Sequence, residues 1–223
     1  MTDLSARRIT PDDAEWPDQL ADLGDDQPNA LWVRGAANLA EISAQSITVT
    51  GSRASTTYGD AVASDIAQGL ARQGFSVATG GGYGIDSAAT RAALSWQNTP
   101  TIVVQASGID LPYPSPHRNL IDAVANNGIV VTAEEPGAKP QRDRFLYRAR
   151  LLAALTQGSV IVEACVRSGA LTVARSAREF ERFVGAVPGP VTSAASTGVH
   201  QLLKTGTVTL VTSAEEVVAG VRD

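Results

Sequence analysis

From Ser46 onward the chain alternates short runs of β-branched and apolar residues with longer amphipathic stretches, and this alternation restricts the fold more than any other feature of the sequence. Repeated strand–helix units of this kind build a largely parallel sheet covered by helices on both faces. The strands fall at 47–50 (ITVT), 75–79 (FSVAT), 101–105 (TIVVQ), 129–132 (IVVT), 159–164 (SVIVEA), 184–187 (VGAV) and 208–211 (VTLV). Helices fit between them at 58–73, 87–96, 117–127, 144–156, 169–182 and 198–204, with Gly74, Gly128, Gly158 and Gly206 placed to end four of them. The expected fold is therefore α/β, a doubly wound and mostly parallel sheet with helices on both faces. The first 45 residues show no long period and read as an N-terminal extension packed on the core formed by residues 46–223.

A chain of 223 residues with 43% hydrophobic and 18% charged residues has enough apolar surface for one substantial core. No apolar run approaches the ~20 residues of a membrane span, and the opening MTDLSARRITPDD has no apolar centre, so a cytoplasmic protein is expected, without membrane contact. Cys165 is the single cysteine and reads as a small buried hydrophobe. The net charge of −5 argues against nucleic acid only if charge is spread evenly, and it is not. Lys139, Arg142, Arg144, Arg148 and Arg150 stand within twelve residues of one another against one acid, Asp143, while acids crowd the first 26 residues.

In open α/β sheets ligands bind beyond the carboxyl ends of the strands, so the loops after the strands carry the functional expectation. The first such loop holds Gly51, Ser52 and Arg53, a hydroxyl and a guanidinium just ahead of a helix N-terminus, which suits a phosphate. The second holds Gly80, Gly81, Gly82 and Gly84, which admit the close approach of another backbone or a ligand. A dinucleotide fingerprint fails, because Ser87 stands at the third glycine position and the following strand closes on Gln105 rather than an acid. No Gly-Lys-Ser/Thr and no Gly-x-Ser-x-Gly occurs. His117 and His200 lie apart, with no ligand partners at metal spacing. Glu134, Glu135 and Glu163 are isolated carboxylates without an assignable second group, so neither a catalytic residue nor a cofactor is expected.

In order, GSR with a following YG, GGGYGID, SGIDLPYP, EEPG, RFLYRARLLAAL, SVIVEACVRSGALTVARSA and GAVPGPVTSAASTGVHQLL resemble the DprA/Smf family of DNA-processing proteins, over about residues 7–220. The resemblance implies an extended Rossmann-like core that binds single-stranded DNA without base specificity, forms homodimers and helps load a RecA-type recombinase. It places Gly51, Ser52 and Arg53 on the DNA backbone, Gly80, Gly81 and Gly82 in the same pocket, and the family's basic and aromatic stretch on Lys139, Arg142, Phe145, Arg148 and Arg150. Phe145 is open to two readings, a base-stacking ring or a core residue of its helix. The sequence departs from the family at Thr90, where the pattern has histidine, and at Leu146, Tyr147 and Ala149, which replace Pro, Arg and Asn, so weaker DNA binding is expected. The accessory helical and winged-helix modules of the family have no counterpart in the motifs, which match the core alone. The competing expectations are a phosphoribohydrolase-like nucleotide-processing enzyme, whose PGGxGTxxE motif is only approached by TGGGYGIDSAA, and a nucleotide-sensing module of the same superfamily.

Overall fold

The computed structural model describes residues 6–222; residues 1–5 of the expected N-terminal extension, and residue 223, lie outside the described residues. Nine strands form one sheet: β1 (Arg7–Ile9), β2 (Leu31–Arg34), β3 (Ser46–Thr50), β4 (Ser76–Thr79), β5 (Ile102–Val104), β6 (Ile129–Thr132), β7 (Gly158–Ile161), β8 (Phe183–Ala186) and β9 (Thr209–Leu210). Eight α-helices are interleaved with them: α1 (Leu39–Ala44), α2 (Thr57–Arg72), α3 (Ile85–Leu94), α4 (Arg118–Asn127), α5 (Arg142–Leu155), α6 (Ala170–Glu179), α7 (Thr197–Lys204) and α8 (Ala214–Arg222). The strand order is β1-β2-β6-β5-β4-β3-β7-β8-β9. Every pairing from β6 to β9 is parallel, and β2 is antiparallel to both β1 and β6.

The chain winds outward from β3 through β4, β5 and β6, then returns to β7 and winds the other way. The direction of winding reverses between β3 and β7, and that reversal opens a crevice at their carboxyl ends. Strands in the middle of such a sheet are covered on both faces, which is why SITVT, SVAT and IVVT are buried at every residue. On one face, α5 and α6 pack Leu151, Leu152, Leu155, Val173 and Ala174 against Ile102, Ile129 and Ile161. On the other, α2, α3 and α8 pack Ile66, Leu70, Ala89 and Val217 against Ile47, Val49, Val77 and Val160.

The segment before Ser46 does more than lie against this core. Leu31 and Val33 point inward and Trp32 and Arg34 are half-buried, so LWVR alternates with period two and extends the sheet past β6. Two of the four expected helix-ending glycines, Gly74 and Gly206, have the left-handed φ of that role (84° and 65°). Gly158 does not have it: α5 ends at Leu155, Thr156 follows in extended conformation, and Gly158 opens β7. The helix expected over 169–182 stops at Glu179, because Glu181 takes a left-handed φ of 56°. Cys165 is exposed rather than buried, since the chain has left the sheet by then and turns at the mouth of the crevice.

Candidate nucleic-acid interface

The floor of the crevice is made by backbone groups that pass very close to one another. The Ser52 amide donates to the Glu163 carbonyl at 2.6 Å, and the Ser52 carbonyl accepts from the Ile85 amide at 3.1 Å. The loop after β3 is thereby stitched to the end of β7 and to the start of α3. A Cβ on Gly51 would lie 2.6 Å from the Glu163 carbonyl oxygen, so only glycine fits between the strands there. Asp86 is buried behind the loop, accepting from Thr50 Oγ1 at 2.7 Å and from the Gly82 amide at 3.1 Å. Its carboxylate ties the end of β3 to the loop after β4 and borders the groove that opens there.

A groove of about 610 Å³ opens from this floor between α5 and α6. Arg53, Arg142, Arg148 and Arg167 line it together with Phe145, and Ala149, Leu152, Ala170 and Val173 form its apolar base. The aromatic ring organises the cations: the guanidinium of Arg53 lies 4.8 Å from the Phe145 centroid and that of Arg148 lies 5.2 Å from it. Arg148 also donates to the Gly80 carbonyl at 2.7 Å, and its Nε has no protein partner among the described residues. A side chain on Gly80 would collide with that guanidinium, 2.6 Å from its carbon. Burial pulls the pKa of Arg148 below its ordinary value, Asp86 opposes that fall and the nearby Arg53 adds to it. Guanidinium stays charged in proteins regardless, so two like charges are held close together beside one ring.

The expected site residues divide into those the fold gathers and those it does not. Gly51, Arg53, Arg142, Phe145 and Arg148 meet in the groove, and Gly82 lines an adjoining niche with Arg53, Phe145 and Arg148. Ser52 contributes its backbone, Gly80 is buried against the Arg148 guanidinium, and Gly81 is buried beside Val103. Arg150 is elsewhere. It pairs with Glu179 at 3.0 Å and Asp26 at 3.4 Å on another side of α5, because a residue two positions from Arg148 on a helix points about 200° away. Lys139 is exposed ahead of α5 and lines neither groove nor niche; its carbonyl accepts from Arg144, which pairs with Glu134 at 2.6 Å. Phe145 is half-buried and lies outside the apolar clusters of the core. Arg167, in the loop after β7, was not among the expected residues, although the rule that ligands meet the carboxyl ends of strands covers that loop as well as the others.

The carboxylates considered for catalysis are engaged structurally. Glu163 is buried and accepts from the Thr56 amide at 2.9 Å and its hydroxyl at 2.6 Å, fixing the start of α2. Glu134 is held by Arg144, with burial pushing its carboxyl above the ordinary value against that attraction. Thr90, at the position where the family pattern has histidine, is buried and bonds Thr79 at 2.9 Å and the Asp86 carbonyl at 2.7 Å. Among the described residues no cluster of His, Cys, Asp and Glu could hold a metal ion, and no helix is long and apolar enough to cross a membrane.

Fold and groove together define a doubly wound α/β protein of extended Rossmann type, with an arginine-lined crevice at the point where its winding reverses. The chain belongs to the DNA recombination-mediator protein A family, whose model matches residues 7–222. It is 46% identical over 222 residues to a putative DNA processing protein DprA of Mycobacterium tuberculosis, covering 95% of this chain and 57% of that protein. It is 35% identical over 194 residues to the DNA processing protein DprA of Streptococcus pneumoniae, covering 87% and 67% respectively. The X-ray structure of the pneumococcal protein superposes with a TM-score of 0.88 at 33% identity, over 96% of this chain and 73% of that one. The fold is shared also by DNA processing protein A of Helicobacter pylori, studied for its single-stranded DNA binding mode, with a TM-score of 0.86 at 24% identity over 97% and 95% of the two chains. The chain thus spans little more than half the length of the mycobacterial relative.

Proposed function

We propose that this chain binds single-stranded DNA without regard to base sequence and, as a cytoplasmic homodimer, helps a RecA-type recombinase onto that DNA rather than catalysing a reaction. Residues 46–223 form the DNA-binding domain in this reading, and residues 1–45 brace it. The observation that carries the reading is the meeting of Arg53, Arg142, Arg148 and Arg167 around Phe145 at the reversal point of the sheet. Guanidinium groups and backbone amides recognise phosphates, which every nucleotide carries, while a ring accepts any base face. The relatives' naming as DNA-processing proteins and the DNA studied with the Helicobacter protein support the same ligand.

Titrating a labelled oligonucleotide over a salt series tests this directly. Four guanidinium–phosphate contacts give a slope of log K against log salt of roughly −3, from about −0.7 per contact on a single strand. Duplex of the same sequence should bind more weakly, and changing the bases should leave the affinity nearly constant. A flat salt dependence would remove the phosphate contacts, and tight binding of nucleoside monophosphate in place of the oligonucleotide would return the groove to a nucleotide-binding or nucleotide-processing role.

Phe145→Ala separates the two readings of that ring. Its place outside the apolar clusters leads us to expect a loss of about 1 to 3 kcal/mol in DNA affinity with a melting temperature close to that of the parent. A core phenylalanine would behave in the opposite way, with about 3 to 5 kcal/mol of stability lost and binding retained.

A further inference from the structure

The chain has four tyrosines, and they divide sharply by what their hydroxyls do. Tyr58 donates to the Pro188 carbonyl at 2.6 Å, and Tyr147 donates to the Asp26 carbonyl at 2.9 Å. Burial, followed by the charges of Asp26 and Glu134, pushes the Tyr147 phenol up to about 12, so that ring serves structure. Tyr83 and Tyr113 have no hydroxyl partner among the described residues, and they are 44% and 39% exposed. Their positions are related. Tyr83 stands in the loop after β4 and Tyr113 in the loop after β5, neighbouring parallel strands whose carboxyl ends lie ~4.8 Å apart in the sheet. Both line one niche with Arg53 and Phe145.

Each ring is braced from one side. Tyr83 meets the buried His117 ring in a T-shaped contact at 4.6 Å, and His117 Nδ1 is 3.1 Å from the Gly81 carbonyl. Tyr113 meets Phe145 in a T-shaped contact at 5.6 Å. Phe145 is already engaged by two guanidiniums and by Tyr113, whereas each tyrosine has a single aromatic neighbour. An exposed, braced ring without a polar partner, beside a cluster of arginines, matches the requirements for stacking on nucleic-acid bases.

We propose that Tyr83 and Tyr113 form a base-stacking platform beside the arginine groove, so that the strand crosses the carboxyl edge of the sheet with its phosphates toward Arg53 and its bases on the two tyrosines. This rests on the reading of the groove as a single-stranded DNA site, and it adds the two tyrosines to Phe145 as rings that receive bases.

Fluorescence anisotropy with a labelled oligothymidylate and with an abasic strand of the same length tests it. Tyr83→Ala and Tyr113→Ala are each expected to weaken oligothymidylate binding between about five- and a hundred-fold, and Tyr83→Phe and Tyr113→Phe to restore it. On the abasic strand all of these proteins should bind equally, below the parent's affinity for oligothymidylate. Tyr83→Leu and Tyr113→Leu keep bulk without the π face and should match the alanine variants, which holds even if an alanine variant melts early. Alanine variants that bind oligothymidylate like the parent, or that lose as much on the abasic strand, would overturn the platform while leaving the groove reading intact. A parent protein that binds neither strand would overturn both.

Discussion

Gly84→Ala is expected to destabilise the protein by about 3 kcal/mol or more and to abolish tight DNA binding in whatever remains folded. Gly84 has φ 67° and ψ −126°, a region that residues with a Cβ scarcely enter, and it sits just ahead of α3. A Cβ there would stand 2.2 Å from the Ser52 carbonyl oxygen and 2.7 Å from that of Arg53. Backbone strain contributes roughly 1 to 3 kcal/mol, and displacing packed backbone contributes a similar amount. The contacts at risk are those of the site itself, since Ser52 accepts from the Ile85 amide and its own amide is bound to Glu163. Moving that loop moves Arg53. For a chain of this length each kcal/mol shifts the melting point by about 2 to 4 °C, so a fall of roughly 6 to 12 °C is the expected reading. A variant that melts within 2 °C of the parent would show that the loops after β3 and β4 are less tightly coupled than their hydrogen bonds indicate.

The same coupling explains which parts of the site were legible in the sequence. Strands buried on both faces are written as unbroken apolar runs, so β3 to β8 could be placed within a few residues, and the crevice followed from their order. Short edge elements gave less to read. β1 and β2 have three and four residues, and β2 is marked only by the alternation of Leu31, Trp32, Val33 and Arg34. Helix α8 lies beyond the last expected helix, although Ser213 and Glu216 stand at capping-box spacing before Val217 and Val218.

Within α5, counting cations along the sequence grouped Arg148 with Arg150, whereas the helical period divides them. Arg142, Phe145, Ala149 and Leu152 recur at intervals of three and four and face the groove, with Arg148 beside them. Arg144 and Arg150 fall on other sides and find Glu134, Glu179 and Asp26. Applied to this helix, the 3.6-residue period reduces its four arginines to two candidates. The approach of Tyr83 to Tyr113, by contrast, depends on the pairing of β4 with β5 and has no local signature at all.

Arginine replacements in the groove should separate charge that only binds from charge that also supports the fold. Arg53 is exposed and its side chain makes no hydrogen bond to the protein among the described residues; its guanidinium lies over the Phe145 ring. Arg53→Ala should therefore cost about 1 to 3 kcal/mol of DNA affinity, the worth of one charge-assisted contact, and leave the melting temperature unchanged or slightly raised. The possible rise has a physical cause: Arg53 repels the desolvated Arg148, and removing it relaxes that repulsion in the free protein. Arg148→Ala should lose on both counts. It deprives the Gly80 carbonyl of its donor, removes a cation from the neighbourhood of the buried Asp86 and empties the space against which Gly80 packs. A charged hydrogen bond of this kind contributes about 1.5 to 3 kcal/mol to stability, and the loss of a phosphate contact from a desolvated position should weaken binding by at least as much as Arg53→Ala does. Oligonucleotide should also raise the melting temperature of the parent more than that of either variant, because a phosphate between Arg53 and Arg148 binds the native state alone. Equal stability of the two variants would mean that Arg148 is as dispensable to the fold as Arg53. Equal stabilisation of all three proteins by the oligonucleotide would place the DNA outside the groove.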